Sequence, residues 1–252
     1  MKKIILIILL LAIVIVFIFY YSKTSNIFNY NTIGDIYPPI GYKRIDSDSY
    51  SEFLRSLPLK KRGNKIMLYQ GGEAKSQRYN YAIIDIPLLS NEEMCADVCI
   101  RLRSEFLFKE KSYNEIHFKD VNGKEVYYNG NSRKDFEKYL KKLYGRVSTY
   151  SLSKLKSRNL KDIRPGDILV YTMYDRENCN VGHAVMVVDV VQNDNGRKAI
   201  MLAEGNMPAR DMHIMRDPSS FSPWFKLSEN NDDFIGTLKS MYNNDEVKYF
   251  RE

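Results

Sequence analysis

Cysteine and histidine are scarce in these 252 residues, three of each, and their spacing excludes most metal chemistry. No Cys-x-x-Cys and no His-x-x-x-His occurs, so neither a metal site nor a cofactor is expected. The three cysteines, Cys95, Cys99 and Cys179, cannot all pair within one chain. Cys95 and Cys99 also stand four apart on a predicted helix, a geometry that disfavours a mutual bridge. No Gly-x-Ser-x-Gly stretch occurs, which removes the usual serine elbow. Internal repeats are missing too. The net charge of +7 is spread along the chain without a nucleic-acid module, so it reads as solvated surface and no nucleic-acid partner is expected.

Charge is missing altogether from residues 4–21, an aliphatic and aromatic run between Lys2-Lys3 and Lys23. Its length suits the roughly 30 Å hydrocarbon core of a bilayer. It predicts one N-terminal transmembrane helix, the anchor of residues 1–25, with the lysines on the cytoplasmic side and the rest outside the cytoplasm. The alternative is a signal peptide cut between Ser22 and Asn26, which exports the domain as well. Residues 26–41, polar with Pro38-Pro39, read as a spacer off the membrane. With 44% hydrophobic and 27% charged residues, the chain has an ordinary globular composition once that run is set aside, and residues 42–252 are expected to form a single domain.

Tyr50, Phe53, Leu54 and Leu57 recur at helical spacing before Pro58, predicting a short helix over 49–57. Strands are predicted over 66–69 and 79–86, joined as a hairpin by a glycine-containing loop. Ser90 with Glu93 three residues later has the form of a capping box. It predicts a helix to about residue 108 with a buried stripe of Cys95, Val98, Leu102 and Phe106, flanked by Cys99. Short strands over 113–118 and 124–128 flank an Asn122-Gly123 turn, and Phe136, Tyr139, Leu140 and Leu143 form the apolar side of a helix over 134–144. Residues 148–159 carry no assignable pattern. Pro165-Gly166-Asp167 then opens a strand. The valine-rich run from Ala184 to Val191 reads as a buried strand, turned back at Asn193-Asp194-Asn195-Gly196 along 198–203. A short strand over 213–215 follows, and the tail from Pro218 reads as loop anchored by Trp224.

Counting outward from that turn places His183 near Glu204 or Gly205, so a basic ring and a carboxylate on facing strand ends can touch. His183 follows a glycine at the mouth of its strand, where a ring serves as a general base or simply caps the strand. Cys95 is the candidate nucleophile. A thiol in the early turns of a helix feels the positive end of the dipole, and a nearby histidine completes its activation. The plainer alternative is an inert core thiol, because Cys95 lies on the apolar stripe and cysteine is readily buried. Glu204 either fixes the histidine's tautomer and orientation or is a surface carboxylate paired with Arg210. Cys99 reads as core, and His117 and His213 read as structural or surface residues.

Eight short stretches, in order, resemble a bacterial envelope family known as domain of unknown function 4846. They are Leu57-Pro58-Leu59-Lys60, Cys95-Ala96-Asp97, Arg101-Leu102-Arg103, Ile116-His117-Phe118, Ser151-Leu152-Ser153, Gly182-His183-Ala184-Val185, Met207-Pro208-Ala209 and Ser222-Pro223-Trp224. More distantly, the order of a Cys95 helix, Pro165-Gly166-Asp167, a strand beginning at His183 and a polar residue on the next strand resembles papain-like, NlpC-type cysteine peptidases. That resemblance implies attack on an amide by Cys95, proton transfer by His183 and orientation of the ring by Glu204. Here Met94 and Ala96 flank the cysteine where an aspartate and a serine are usual in those peptidases.

The expectation is therefore an α+β, papain-like domain with an antiparallel sheet packed on a cysteine-bearing helix, preceded by the membrane helix. Its expected role is a cysteine amidase, peptidase or acyltransferase acting outside the cytoplasm on envelope material such as peptidoglycan, with the membrane as partner. The alternative is a non-catalytic envelope binding or assembly domain on the same fold.

Overall fold

The computed structural model describes residues 10–16, 30–45, 48–174, 180–242 and 246–250. Its centre is the longest strand of a nine-stranded antiparallel sheet. In chain order the strands are β1 (Tyr42–Arg44), β2 (Asn80–Ile83), β3 (His117–Lys119), β4 (Glu125–Tyr127), β5 (Lys156–Asn159), β6 (Ile168–Tyr174), β7 (Asn180–Asn193), β8 (Lys198–Glu204), β9 (His213–Met215), β10 (Trp224–Lys226) and β11 (Glu246–Tyr249). The helices are α1 (Ser49–Arg55), α2 (Cys95–Lys109), α3 (Arg133–Tyr144), α4 (Thr149–Ser153) and α5 (Gly236–Met241). The main sheet runs β2-β9-β8-β7-β6-β11-β5, with β1 added to β7 and β10 to β8, while β3 and β4 form a separate hairpin.

Val185, Val187, Val188, Val190 and Val191 of β7 are buried on both faces, which is why this part of the strand reads as a continuous apolar run rather than an alternating one. Ala184, Met186 and Val188 join the core that contains Val98, Leu102, Phe136 and Leu140 from α2 and α3. Val185 and Val187 face the other way, toward Phe225, Phe234, Leu238 and Tyr242. The C-terminal segment therefore forms a third layer. The turn after β7 is closed by Gly196 at φ +84°, a value glycine adopts without strain, with its N–H bonded to the Asn193 carbonyl at 2.9 Å. A bulge follows between Val187↔Leu202 and Asp189↔Met201. Asp189, fully buried there, is clasped by Arg44 Nε and Arg55 Nε at 2.7 Å each, so the charge is compensated where the strand kinks.

Several expectations are corrected. The papain-like domain behind a transmembrane helix is replaced by a mostly antiparallel-sheet α+β arrangement. Among the described residues no helix is long and apolar enough to cross a membrane. Within 4–21 only residues 10–16 are described; they are helical and span about 10 Å at the usual rise, and the rest of that stretch lies outside the described residues. The hairpin expected between 66–69 and 79–86 does not form. Instead β2 pairs with β9, and residues 66–69 make only the isolated bridges Met67↔Glu73 and Leu68↔Arg210. The tail from Pro218 is not plain loop, since it supplies β10, α5 and β11, and residues 148–159 supply α4 and β5. Ile33 and Ile36, inside the stretch read as a spacer, are buried in the core, and Tyr37 accepts the Trp224 indole N–H at 2.8 Å.

Candidate active site

Helix α2 begins four residues later than the Ser90–Glu93 pattern suggests, and the shift matters for the thiol. Glu93 is not a capping residue. It is fully buried, accepts the Leu89 N–H at 2.7 Å and takes both oxygens to Arg101 Nη1 at 3.1 Å. The acidic residue that does serve the helix start is Asp97, whose Oδ2 accepts the Met94 N–H at 3.0 Å. Cys95 is therefore the first residue of the helix rather than a residue of its second turn, and it sits where the dipole field is strongest. It is half-buried, whereas Cys99 one turn on is completely enclosed. Both are free thiols, and Cys179 lies outside the described residues.

The end of β8 is pressed onto this first turn. A Cβ at Gly205 would lie 2.7 Å from Val98 Cγ2 and 3.3 Å from the Met94 carbonyl oxygen, so only glycine permits the approach. Glu204 is thereby held beside the helix start. Pairing between β7 and β8 ends at Met186↔Ala203; continued, it would set Glu204 opposite Val185, so His183 meets the carboxylate diagonally on the same face. His183 Nε2 donates to Glu204 Oε2 at 2.6 Å, and both groups are buried. Nε2 being engaged, Nδ1 is the nitrogen left for Cys95, whose ionisation the ring favours.

The structure adds two residues that the sequence pattern does not reveal. His213 stands directly across from Glu204 in the β8–β9 pair, with Nε2 3.0 Å from Glu204 Oε1 but without the alignment of a full hydrogen bond. Its Nδ1 lies 3.2 Å from the Asp211 carbonyl, which can only accept, so that nitrogen carries a proton. The signal was present in the short 213–215 strand, but nothing local says which strand it pairs with. Thr149, the first residue of α4, brings Oγ1 to 3.9 Å from the Cys95 sulfur. His117, by contrast, lies on the β3–β4 hairpin, stacked on Tyr127 and 2.9 Å from Glu125 Oε2, half-exposed and apart from these groups.

The electrostatics follow from this geometry. Burial disfavours charge on all three groups, yet their mutual contacts prevail. The Cys95 thiol is pulled below its ordinary value by the hydrogen bond and charge of His183, with help from the Ala184 N–H and Thr149. Burial opposes the imidazolium of His183 also, but the bonds to Cys95 and Glu204 carry it up to about 9. Glu204, despite burial, is held down at about 2 by His183 and His213. Asp97 goes the other way: burial lifts it to about 8, and its Oδ1 has no partner. A protonated Asp97 spares the sulfur two residues away from a like charge. Among the described residues no group of three or more His, Cys, Asp or Glu side chains is placed to hold a metal ion.

Gly182 is needed for the same geometry. A Cβ there would lie 2.5 Å from the Tyr171 carbonyl oxygen and 2.7 Å from Thr149 Cγ2, and the backbone contact cannot give way cheaply. Gly182→Ala is expected to lower the unfolding free energy by about 1–3 kcal/mol in urea denaturation, with the midpoint shifted and the slope unchanged.

A family model described as domain of unknown function (4846) matches residues 34–130 and 128–248. No curated protein and no solved structure matches the chain. The likeness to papain-like peptidases thus gains no support from comparison.

Proposed function

We propose that this chain, which belongs to the family described as domain of unknown function (4846), is a cysteine-dependent amidase, peptidase or acyltransferase working through Cys95, His183 and Glu204. One observation carries the reading: a half-buried thiol at the first position of a helix is made more acidic by an imidazole that a buried carboxylate orients. A cysteine that merely packs has no use for an ion-paired histidine.

The steps follow from the residues. The Cys95 thiolate attacks a carbonyl carbon, a C–S bond forms, and the carbonyl pair moves to oxygen. The N–H groups of Cys95 and Ala96, first in α2, have no acceptor within the helix and supply positive ends for that oxyanion. The imidazolium of His183 then protonates the leaving amine or alkoxide as its bond to carbon breaks. Water, or an acceptor amine, attacks the thioester and gives its proton to His183, and the thiolate departs. Glu204 keeps the ring in one orientation throughout, and His213 keeps Glu204 in place. Peptidoglycan peptide is the substrate class proposed.

The rival reading, a non-catalytic binding domain, is favoured by one observation. The cavities of about 380 and 240 Å³ beside β2 and the 60–69 segment are lined by none of Cys95, His183 and Glu204. The two readings separate on a p-nitrophenyl ester. The enzyme reading expects a burst of nitrophenolate, one per chain, with a mass increase on Cys95 and its loss in Cys95→Ala. A protein with neither burst nor adduct contradicts it.

A further inference from the structure

The cavity of about 380 Å³ lies along β2, at the edge of the main sheet, and falls in the roughly 300–1,000 Å³ range of small-molecule sites. Its composition is unusual. Lys60, Arg62, Lys65 and Arg216 line it, and among the described residues no Asp or Glu side chain does. Two of the cations have counter-charges that lie off the lining: Lys60 Nζ is 3.1 Å from Asp211 Oδ1, and Lys65 Nζ is 3.5 Å from Glu73 Oε2 on the exposed rim. Arg216 gives its Nε–H to the Arg78 carbonyl at 2.9 Å, a neutral acceptor that leaves its charge in place. With four cationic side chains and no carboxylate in the lining itself, the concavity favours an anion.

The lining is also aromatic. Tyr30, Tyr81 and Phe221 contribute there, the two tyrosines stacked at 6.5 Å between centroids and 21° between planes. Phe221 is largely exposed and carries the Arg216 guanidinium over its ring at 5.1 Å. Aromatic faces take the apolar face of a ring, and guanidinium forks match phosphate and carboxylate oxygens.

We propose that this cavity is a binding site for a small organic oxyanion, a phosphate or carboxylate borne on a sugar-like ring. Arg216 holds the oxyanion, Lys60, Arg62 and Lys65 add field, and Tyr81 and Phe221 receive the ring. The site stands apart from the Cys95 chemistry, and binding there is measurable in a Cys95→Ala protein.

Calorimetric titration of the full chain with glucose 6-phosphate, glucuronate, inorganic phosphate and glucose tests it. At least one of the two anionic sugars is expected to bind, the better of them identifying the oxyanion. Inorganic phosphate should bind more weakly and glucose should give no heat. Arg216→Ala should weaken the anionic sugar about tenfold or more, and Lys65→Ala several-fold, with binding falling as salt rises. Lys65 is half-exposed, so its variant keeps the test valid where Arg216→Ala fails to fold. The proposal is overturned by silence from both anionic sugars, by glucose binding as tightly, by inorganic phosphate equalling the sugar phosphate, or by binding unchanged in the variants.

Discussion

Iodoacetamide is expected to alkylate Cys95 of the His183→Ala protein about 10- to 100-fold more slowly than Cys95 of the wild type at about pH 6. The reason is the population of thiolate. An ordinary thiol is almost wholly protonated at that pH, whereas the hydrogen bond and charge of His183 pull Cys95 down against the cost of its burial. Removing the ring leaves the burial cost and takes away what offsets it. The fall is smaller than the change in thiolate fraction alone, because a less acidic thiol is the better nucleophile once ionised. Peptide mapping by mass separates the three cysteines. Cys99 should stay unlabelled in both proteins, since complete burial raises its pKa well above the ordinary value. Equal rates in the two proteins would mean that the imidazole does not govern the sulfur.

The second large effect lies away from the sulfur, in the support beneath it. Arg101 is 2% exposed and bonds Glu93 through Nη1 and Glu105 Oε1 through Nε at 2.7 Å, while Glu105 in turn meets Arg133 of α3. This network ties the turn before α2, α2 itself and α3 into one body, and Glu93 stands two residues from Cys95. Arg101→Leu leaves the Glu93 carboxylate buried and without its cation, and the unfolding free energy is expected to fall by about 3–5 kcal/mol in urea denaturation. The pair itself contributes less than that loss, because placing both charges out of water is costly. Glu93→Leu combined with Arg101→Leu should therefore recover most of the stability. A double variant no more stable than Arg101→Leu would show that the network does more than neutralise a buried acid.

The parts of this fold that were legible in the sequence are those set by local chemistry. The Asn193–Gly196 turn fixes which residues of β7 and β8 face each other beside it, but that register alone sets Glu204 opposite Met186; the bulge, which the sequence does not announce, moves it opposite Val185 and so onto the face that His183 shares. The apolar side of α3 was legible for the same reason, its periodicity being carried by four residues that all face one core. Ser90 and Glu93 misled because a capping box and a buried ion pair use the same acidic residue, and only the distant Arg101 decides between them. The hairpin assumed for 66–69 and 79–86 failed because a strand's partner is set by the whole sheet, and β9 offered β2 a better edge than its neighbour in sequence. Strand β5, read Lys-Ser-Arg-Asn, is polar and mostly exposed, held by its pairing with β11, and carries no pattern a strand search would find. His213 was missed on similar grounds, since its place beside Glu204 exists only once β9 is laid against β8.

The central claim, a Cys95 thiolate held by His183, is tested most directly by the ultraviolet thiolate absorbance of a Cys179→Ser protein titrated across the acid and neutral range. Cys99 does not interfere, because its thiol ionises only far above that range. The ion pair exists above the lowered Cys95 pKa and below the His183 value of about 9, so the absorbance should appear at a lower pH than that of an ordinary thiol and vanish on acidification. With His183→Ala added, the step should move up toward the usual thiol range of about 8.5. An absorbance that appears only in that usual range, at the same pH with and without His183, would contradict the account.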